Sequence, residues 1–151
     1  MVVWRICSSR HTAFDGEGAR IHGGRWNRAG SAVVYTSESL SLAAMELLVH
    51  LDPRLLPSDL VCISAELPRD VKIQLVDAAD LPANWRDYPA AEELKDVGSR
   101  WLSSGESAVL SVPSAVIPQE RNYLLNPAHP GFRRIKASKP VPFRLDARLL
   151  R

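Results

Sequence analysis

The 151-residue sequence is 46% hydrophobic and 24% charged, with a net charge of +2. That balance excludes a disordered chain, and the length suits a single domain over residues 1–151 with a core of its own. The longest apolar run, LSLAAMELLVHL, carries Glu46 and His50 and is too short to span a bilayer. The opening run MVVWRIC breaks at Arg5 and is too short for a signal peptide, so a cytoplasmic protein with no membrane contact is expected.

Val2–Cys7 reads as a first strand, short and rich in β-branched and aromatic residues. A polar segment over 8–31 follows, with Gly16, Gly18, Gly23, Gly24 and Gly30. Long connections of this kind in a compact domain tend to be functional. Ala32–Thr36 is a second strand, and Ser37 or Ser39 caps a helix over roughly 39–51 that Pro53 stops. Leu60–Leu67 and Val71–Val76 form two further strands joined by a turn at Pro68–Asp70. A second helix is expected to begin near Pro89 and run through AAEELKDVGSRWLSS. Ala108–Val112 is the next strand, NYLLNPAHPGF a turn-rich loop, and a last strand lies near Val141–Asp146. Strands with two interspersed helices and no strict βαβ rhythm indicate α+β with mainly antiparallel pairing.

Charge is unevenly placed. Residues 1–37 hold five basic and two acidic side chains, residues 38–120 six and fourteen, and residues 121–151 eight and one. Basic ends around an acidic middle suit a site where the ends meet an anionic ligand, or a surface on which opposite charges neutralise each other. Cys7 and Cys62 each lie in an apolar run without metal-ligand spacing and are expected to be buried free thiols. His11, His22, His50 and His129 share no ligand spacing, so no metal site is expected.

Within the 39–51 helix, Leu40, Ala43, Ala44, Leu47, Leu48 and Leu51 form one apolar face, and Leu42, Met45 and Val49 cover much of the other. Glu46 is therefore expected to be a buried carboxylate, either paired with Arg5, Arg25 or His50 or kept dry to stabilise positive charge on a substrate. In GGRWN, Gly23 and Gly24 let the backbone approach a ligand, Arg25 suits phosphate oxygens and Trp26 offers an aromatic face. A tight turn with a surface arginine explains the same residues. Arg5 is a charge inside an apolar strand, which points to a cleft, a partner carboxylate or an edge. Tyr35 ends the second strand, and Ser114 lacks the elbow of a hydrolase nucleophile.

Taken in order, these pieces resemble the RES domain, the toxin half of RES–Xre toxin–antitoxin pairs. The residues that carry the resemblance are WR at Trp4–Arg5, GGRWN at Gly23–Asn27, VVYTSES at Val33–Ser39 and the AAMELLVHL helix. Trp101, VPSAVIPQERNYLLNPAHPGF at Val112–Phe132 and FRLDARL complete the set. The resemblance implies a fold similar to ADP-ribosyltransferases, with two mainly antiparallel sheets around an NAD cleft and peripheral helices. It also implies NAD consumption by phosphorolysis, hydrolysis or ADP-ribosylation of a protein. Carried over, the family's arginine falls on Arg5, with Arg25 as a second basic position. The aromatic position falls on Tyr35, the glutamate on Glu46 and the serine on Ser114, with Gly24, Trp26 and Asn27 among the NAD-binding residues. No tightly bound cofactor is implied, because NAD is the substrate.

The resemblance further implies an Xre-type helix-turn-helix antitoxin as partner, which would itself carry DNA binding. Many arginine-directed transferases have a glutamate two residues before the catalytic one; here that position is Ala44. A non-catalytic nucleic-acid or protein-binding module is the competing class. Arg133, Arg134, Lys136, Lys139, Arg144, Arg148 and Arg151 support it, but Pro140 and Pro142 interrupt them and no aromatic ladder accompanies them. Self-association through apolar faces remains an open alternative.

Overall fold

The computed structural model describes all 151 residues. Eight strands and three α-helices form an α+β fold. The strands are β1 (Val2–Ser8), β2 (Val34–Ser37), β3 (Leu60–Glu66), β4 (Ile73–Leu75), β5 (Val109–Pro113), β6 (Arg121–Leu125), β7 (Lys136–Ala137) and β8 (Val141–Pro142). The helices are α1 (Glu17–His22), α2 (Leu40–Leu48) and α3 (Glu92–Ser104). No helix is long and apolar enough to cross a membrane.

The strands run in the order β4-β5-β6-β2-β1-β3-β7, with β8 also on β3. Every pairing is antiparallel except β4 with β5. Hydrogen bonding thus links the strands into one sheet where two were expected, but the link is narrow. β1 pairs with β3 from Val2 opposite Glu66 to Ser8 opposite Leu60, and with β2 only where Trp4 faces Ser37. The ladder parts beyond that point, toward Arg5 and Ile6 on one strand and Tyr35 and Thr36 on the other.

Alternation along the central strands fills both faces. Val34, Val109, Tyr123 and Leu125 pack with Val3 and Ala65 on one side, under the stacked rings of Phe14 and Phe132. Leu110, Val112 and Leu124 point the other way, against Trp26, Trp85, Leu94 and Trp101. A smaller cluster of Ala44, Leu60 and Leu145 seats α2.

Strand β6 lies near the centre of the sheet, within a stretch that the sequence reading assigns to a turn-rich loop. The turn residues belong to the second half of that stretch, whereas Tyr123, Leu124 and Leu125 are buried. The glycine-rich segment contains α1, which the sequence pattern did not predict, because α1 is a short surface helix without a buried residue. Helix α3 starts at Glu92, past the expected proline, and the final strand shrinks to Val141–Pro142. Cys7 and Cys62 are free thiols, and both are half-buried, less covered than expected.

Helix α2 is capped as expected, with the Leu42 N–H donating to the Ser39 hydroxyl at 3.0 Å. It is not buried all round. Only Leu42, Ala43 and Ala44 are fully covered, and Val49, just past the helix, is 58% exposed. One side of α2 packs on β1 and β2, and the other borders an open cleft, so apolar composition alone overstated its burial.

Helix α3 lies unusually close to the glycine-rich segment. A Cβ at Gly98 would sit 1.6 Å from the Trp26 carbonyl oxygen, whereas one at Gly18 meets nothing within 4 Å. Gly98→Ala must push α3 off Trp26, at an expected cost of about 3 kcal/mol. In thermal melts this variant should unfold roughly 10 °C lower, while Gly18→Ala holds or slightly raises the midpoint.

Candidate active site

Glu46 is half-buried and lines two adjoining cavities. The larger, of about 590 Å³, is bounded by Gly24, Arg25, His50, Arg86, Tyr88 and Lys95 among others. The smaller, of about 280 Å³, opens where β1 and β2 part and is lined by Arg5, Tyr35, Ser37 and Asn122 as well as Glu46.

The carboxylate is held by neutral donors. Ser114 Oγ donates to Glu46 Oε1 at 2.6 Å, and Asn122 Nδ2 donates to the same oxygen at 2.6 Å. Ser37 Oγ in turn donates to Asn122 Oδ1 at 2.8 Å, where β2 and β6 place these two residues opposite each other. Ser114 is fully buried and accepts from the N–H groups of Val116 and Ile117 at 3.1 and 3.0 Å. Its single hydroxyl proton is therefore directed at Glu46. Oε1 is saturated, and Oε2 makes no hydrogen bond within the protein.

The basic and aromatic candidates occupy distinct places. Arg5 does not pair with Glu46; Nη1 donates to the Ala13 carbonyl at 2.9 Å and Nη2 to that of His11 at 3.2 Å. It lines the small cavity while tying the start of the glycine-rich segment to β1. Arg25 lines the large cavity, and its Nη1 donates to the carbonyls of Trp85 and Asp87 at 2.9 and 3.0 Å. Partial burial lowers the Arg25 pKa, with the negative charge of Glu46 working against that shift; a guanidinium stays charged regardless.

Tyr35 donates its hydroxyl proton to Asn27 Oδ1 at 2.6 Å and accepts from the Trp26 N–H at 3.1 Å. Burial pushes its phenol pKa well up, which keeps it a donor. Asn27 is fully buried, and its amide donates to the carbonyls of Ala19, Arg28 and Ser31. Gly24 fits only as glycine, since a Cβ there would lie 2.7 Å from the Tyr35 hydroxyl.

Glu46, Arg5, Arg25, Tyr35 and Gly24 thus border the cleft formed by the two cavities, and Ser114, fully buried and lining neither, meets it only through Glu46. Trp26 and Asn27 do not reach it. The Trp26 ring is 2% exposed in the core beneath α3, so it offers no face to a ligand, and fully buried Asn27 spends its amide on three backbone carbonyls and its Oδ1 on the Tyr35 hydroxyl. Asn122 was missed by sequence reasoning. Its only signal was a polar residue beginning the NYLL run, and its partners are 85 and 76 residues away. His50, Arg86, Tyr88 and Lys95 were missed as cleft residues too; the His50 and Tyr88 rings meet at its mouth, 5.7 Å between centroids.

The RES domain family model matches residues 2–146. The chain belongs to the RES domain family. A protein named Prs ADP-ribosylating toxin from Sphingobium sp. (strain YBL2) is 38% identical to this RES domain over 154 residues, covering 98% of the chain and 96% of that protein. A Toxin Res from Yersinia enterocolitica is 40% identical over 152 residues, with 99% of both chains covered. The solved MbcT–MbcA toxin–antitoxin complex of M. tuberculosis contains a chain with the same fold, at a TM-score of 0.75 and 17% identity. That match spans 99% of this RES domain and 86% of the solved chain.

The Tyr35 geometry carries a pH consequence. A phenol whose folded pKa is raised contributes stability that is complete below the ordinary value near 10 and is lost as pH rises beyond it. Urea midpoints of the wild-type protein should therefore fall between pH 9 and about 11 more steeply than those of Tyr35→Phe. At pH 7 the variant should be about 1–2 kcal/mol less stable, because Asn27 and the Trp26 N–H lose their partner.

Proposed function

We propose that this chain is the toxin half of a toxin–antitoxin pair and cleaves NAD at the bond between ribose C1′ and the nicotinamide nitrogen. The observation that carries this reading is the Glu46 carboxylate, with Oε1 locked by Ser114 and Asn122 and Oε2 unengaged beside a cleft of about 590 Å³. Breaking the bond leaves the electron pair on nicotinamide, which departs neutral, and develops an oxocarbenium-like charge on the ribose. A fixed carboxylate stabilises that cation without reorganising. A water or phosphate oxygen then bonds to C1′, and a proton from water passes to solvent.

In this reading Ser114 and Asn122 are positioning residues that aim Glu46. The Tyr35 ring, on the wall of the small cavity, is a platform for the flat nicotinamide cation. Arg25 and Gly24 border the remainder of the dinucleotide, and Arg5 holds the glycine-rich wall in place while facing the ribose side. The reaction invokes no metal and no resident cofactor, since NAD is consumed. The partner is an Xre-type helix-turn-helix antitoxin that covers the cleft, so operator binding belongs to the antitoxin and not to this chain. The cytoplasmic NAD pool is the matching location. The fold relation to ADP-ribosyltransferases belongs to this proposal as well.

A second reading, transfer of ADP-ribose to a protein, is favoured by the name of the Sphingobium relative. Both readings share the bond broken and differ in the acceptor.

Purified protein incubated with NAD should release nicotinamide, and Glu46→Gln, which keeps the shape but not the charge, should be slower by about 100-fold or more. Ser114→Ala should lose about tenfold, because one of two donors still holds Oε1. Rates that rise with added phosphate identify phosphorolysis; label from NAD appearing on a protein identifies transfer. Equal nicotinamide release by wild-type and Glu46→Gln would remove the proposed role of Glu46.

A further inference from the structure

The large cavity carries charge that the chemistry at Glu46 leaves unused. Arg25, Arg86 and Lys95 border it, three cations against the single carboxylate of Glu46. Arg86 is anchored at one point, where Nε donates to the Ala115 carbonyl at 3.0 Å. Both of its Nη groups lack a protein partner. Ala115 directly follows Ser114, which holds Glu46, so the cation and the carboxylate are mounted on one short stretch of backbone.

Arg25 fixes the chain carrying Arg86 from beneath, through the carbonyls of Trp85 and Asp87. Its Nη2 makes no protein hydrogen bond. Lys95 borders the cavity from α3, with its side chain 28% exposed and Nζ 3.4 Å from Glu92. Glu92 is bound more closely by Arg28, at 2.7 Å, so its carboxylate is shared between two cations and neutralises Lys95 incompletely.

We propose that Arg86 and Lys95, with Arg25 Nη2, form an anion subsite that takes a phosphoryl group. The identity of the rest of the ligand rests on the NAD reading above; the subsite itself does not. A guanidinium with two free Nη groups matches phosphoryl oxygens in two-pronged fashion, and an ammonium bordering the same cavity supplies a point charge. Glu46, which borders the same cavity, repels the same group. An elongated ligand with one anionic and one cationic end is thereby bound in one direction, with its cationic end at Glu46.

The test uses Glu46→Gln protein, to prevent turnover, titrated with ADP-ribose, inorganic pyrophosphate and adenosine. Arg86→Gln and Lys95→Gln are added singly and together, and Arg100→Gln, an exposed arginine on α3 away from the cavity, is the control. Each cavity substitution should weaken ADP-ribose and pyrophosphate by about tenfold and flatten their salt dependence, leaving adenosine unchanged. Orthophosphate that competes with ADP-ribose assigns the subsite to the pyrophosphate of the dinucleotide. Orthophosphate that binds alongside ADP-ribose, and is lost with Arg86, assigns it to a free phosphate acceptor.

Pyrophosphate binding that depends on Arg86 and Lys95, in a protein whose wild type releases no nicotinamide, keeps the subsite and removes the NAD reading. Failure of the parent to bind pyrophosphate, unchanged affinity in the double variant, or an equal loss of adenosine overturns the subsite. Nicotinamide release would then stand without it.

Discussion

Strands β1 and β2 are paired only where Trp4 faces Ser37, while β1 continues along β3 for its whole length. Backbone beyond that one pair separates, and a gap inside a sheet has to be bordered by something polar or filled by something large. Here α2 lies across it, and the small cavity forms between Arg5 and Ile6 on one side and Tyr35 and Thr36 on the other. The Glu46 carboxylate is the polar group that α2 brings to this gap. Closing the ladder by two more pairs would remove the space in which Glu46, Arg5 and Tyr35 approach one another.

The walls of the cleft are fixed chiefly by hydrogen bonds to uncharged groups: neutral ones at Glu46 and Asn27, and guanidinium-to-carbonyl ones from Arg5, Arg25 and Arg86. Glu46 is held by a hydroxyl and an amide, and the glycine-rich segment is tied by Asn27 to three carbonyls and to Tyr35. Neutral donors orient a carboxylate without cancelling its charge, so that charge remains available to a ligand. The ion pairs in the structure, such as Arg54 with Asp52 and Arg134 with Asp70, lie at the exposed surface, where each contributes little to stability. Polarity inside the molecule thus serves geometry, and the surface carries most of the charge balance.

Close approach governs the rest. Gly98 admits the Trp26 carbonyl against α3, and Gly24 admits the Tyr35 hydroxyl. Both contacts press the glycine-rich segment onto the sheet, which sends the Trp26 ring into the core and leaves Arg25 beside the cavity. Adjacent residues in one motif therefore have opposite fates, one buried in the core and one bordering the cavity.

Much was legible in the residues alone. Alternating β-branched strands, the Ser39 cap and the apolar helix carrying Glu46 follow from local preferences that act over a few residues. The ordered motifs sufficed to indicate the family. Strand β6 escaped because its buried residues run straight into a proline- and asparagine-rich turn, and α1 because it buries nothing. Trp26 and Arg25 could not be told apart by motif, since which side chain turns inward depends on what packs above it.

What the sequence determined by itself was the class of the fold, the helix that carries Glu46 and the residue types available to the site. What only the tertiary structure decided was which of them meet: Ser114 and Asn122 reach Glu46 across 68 and 76 residues of chain, and Arg86 and Lys95 come to border one cavity. Local propensities set φ and ψ for near neighbours, whereas contacts at that separation depend on strand register and on the close packing of helix against loop.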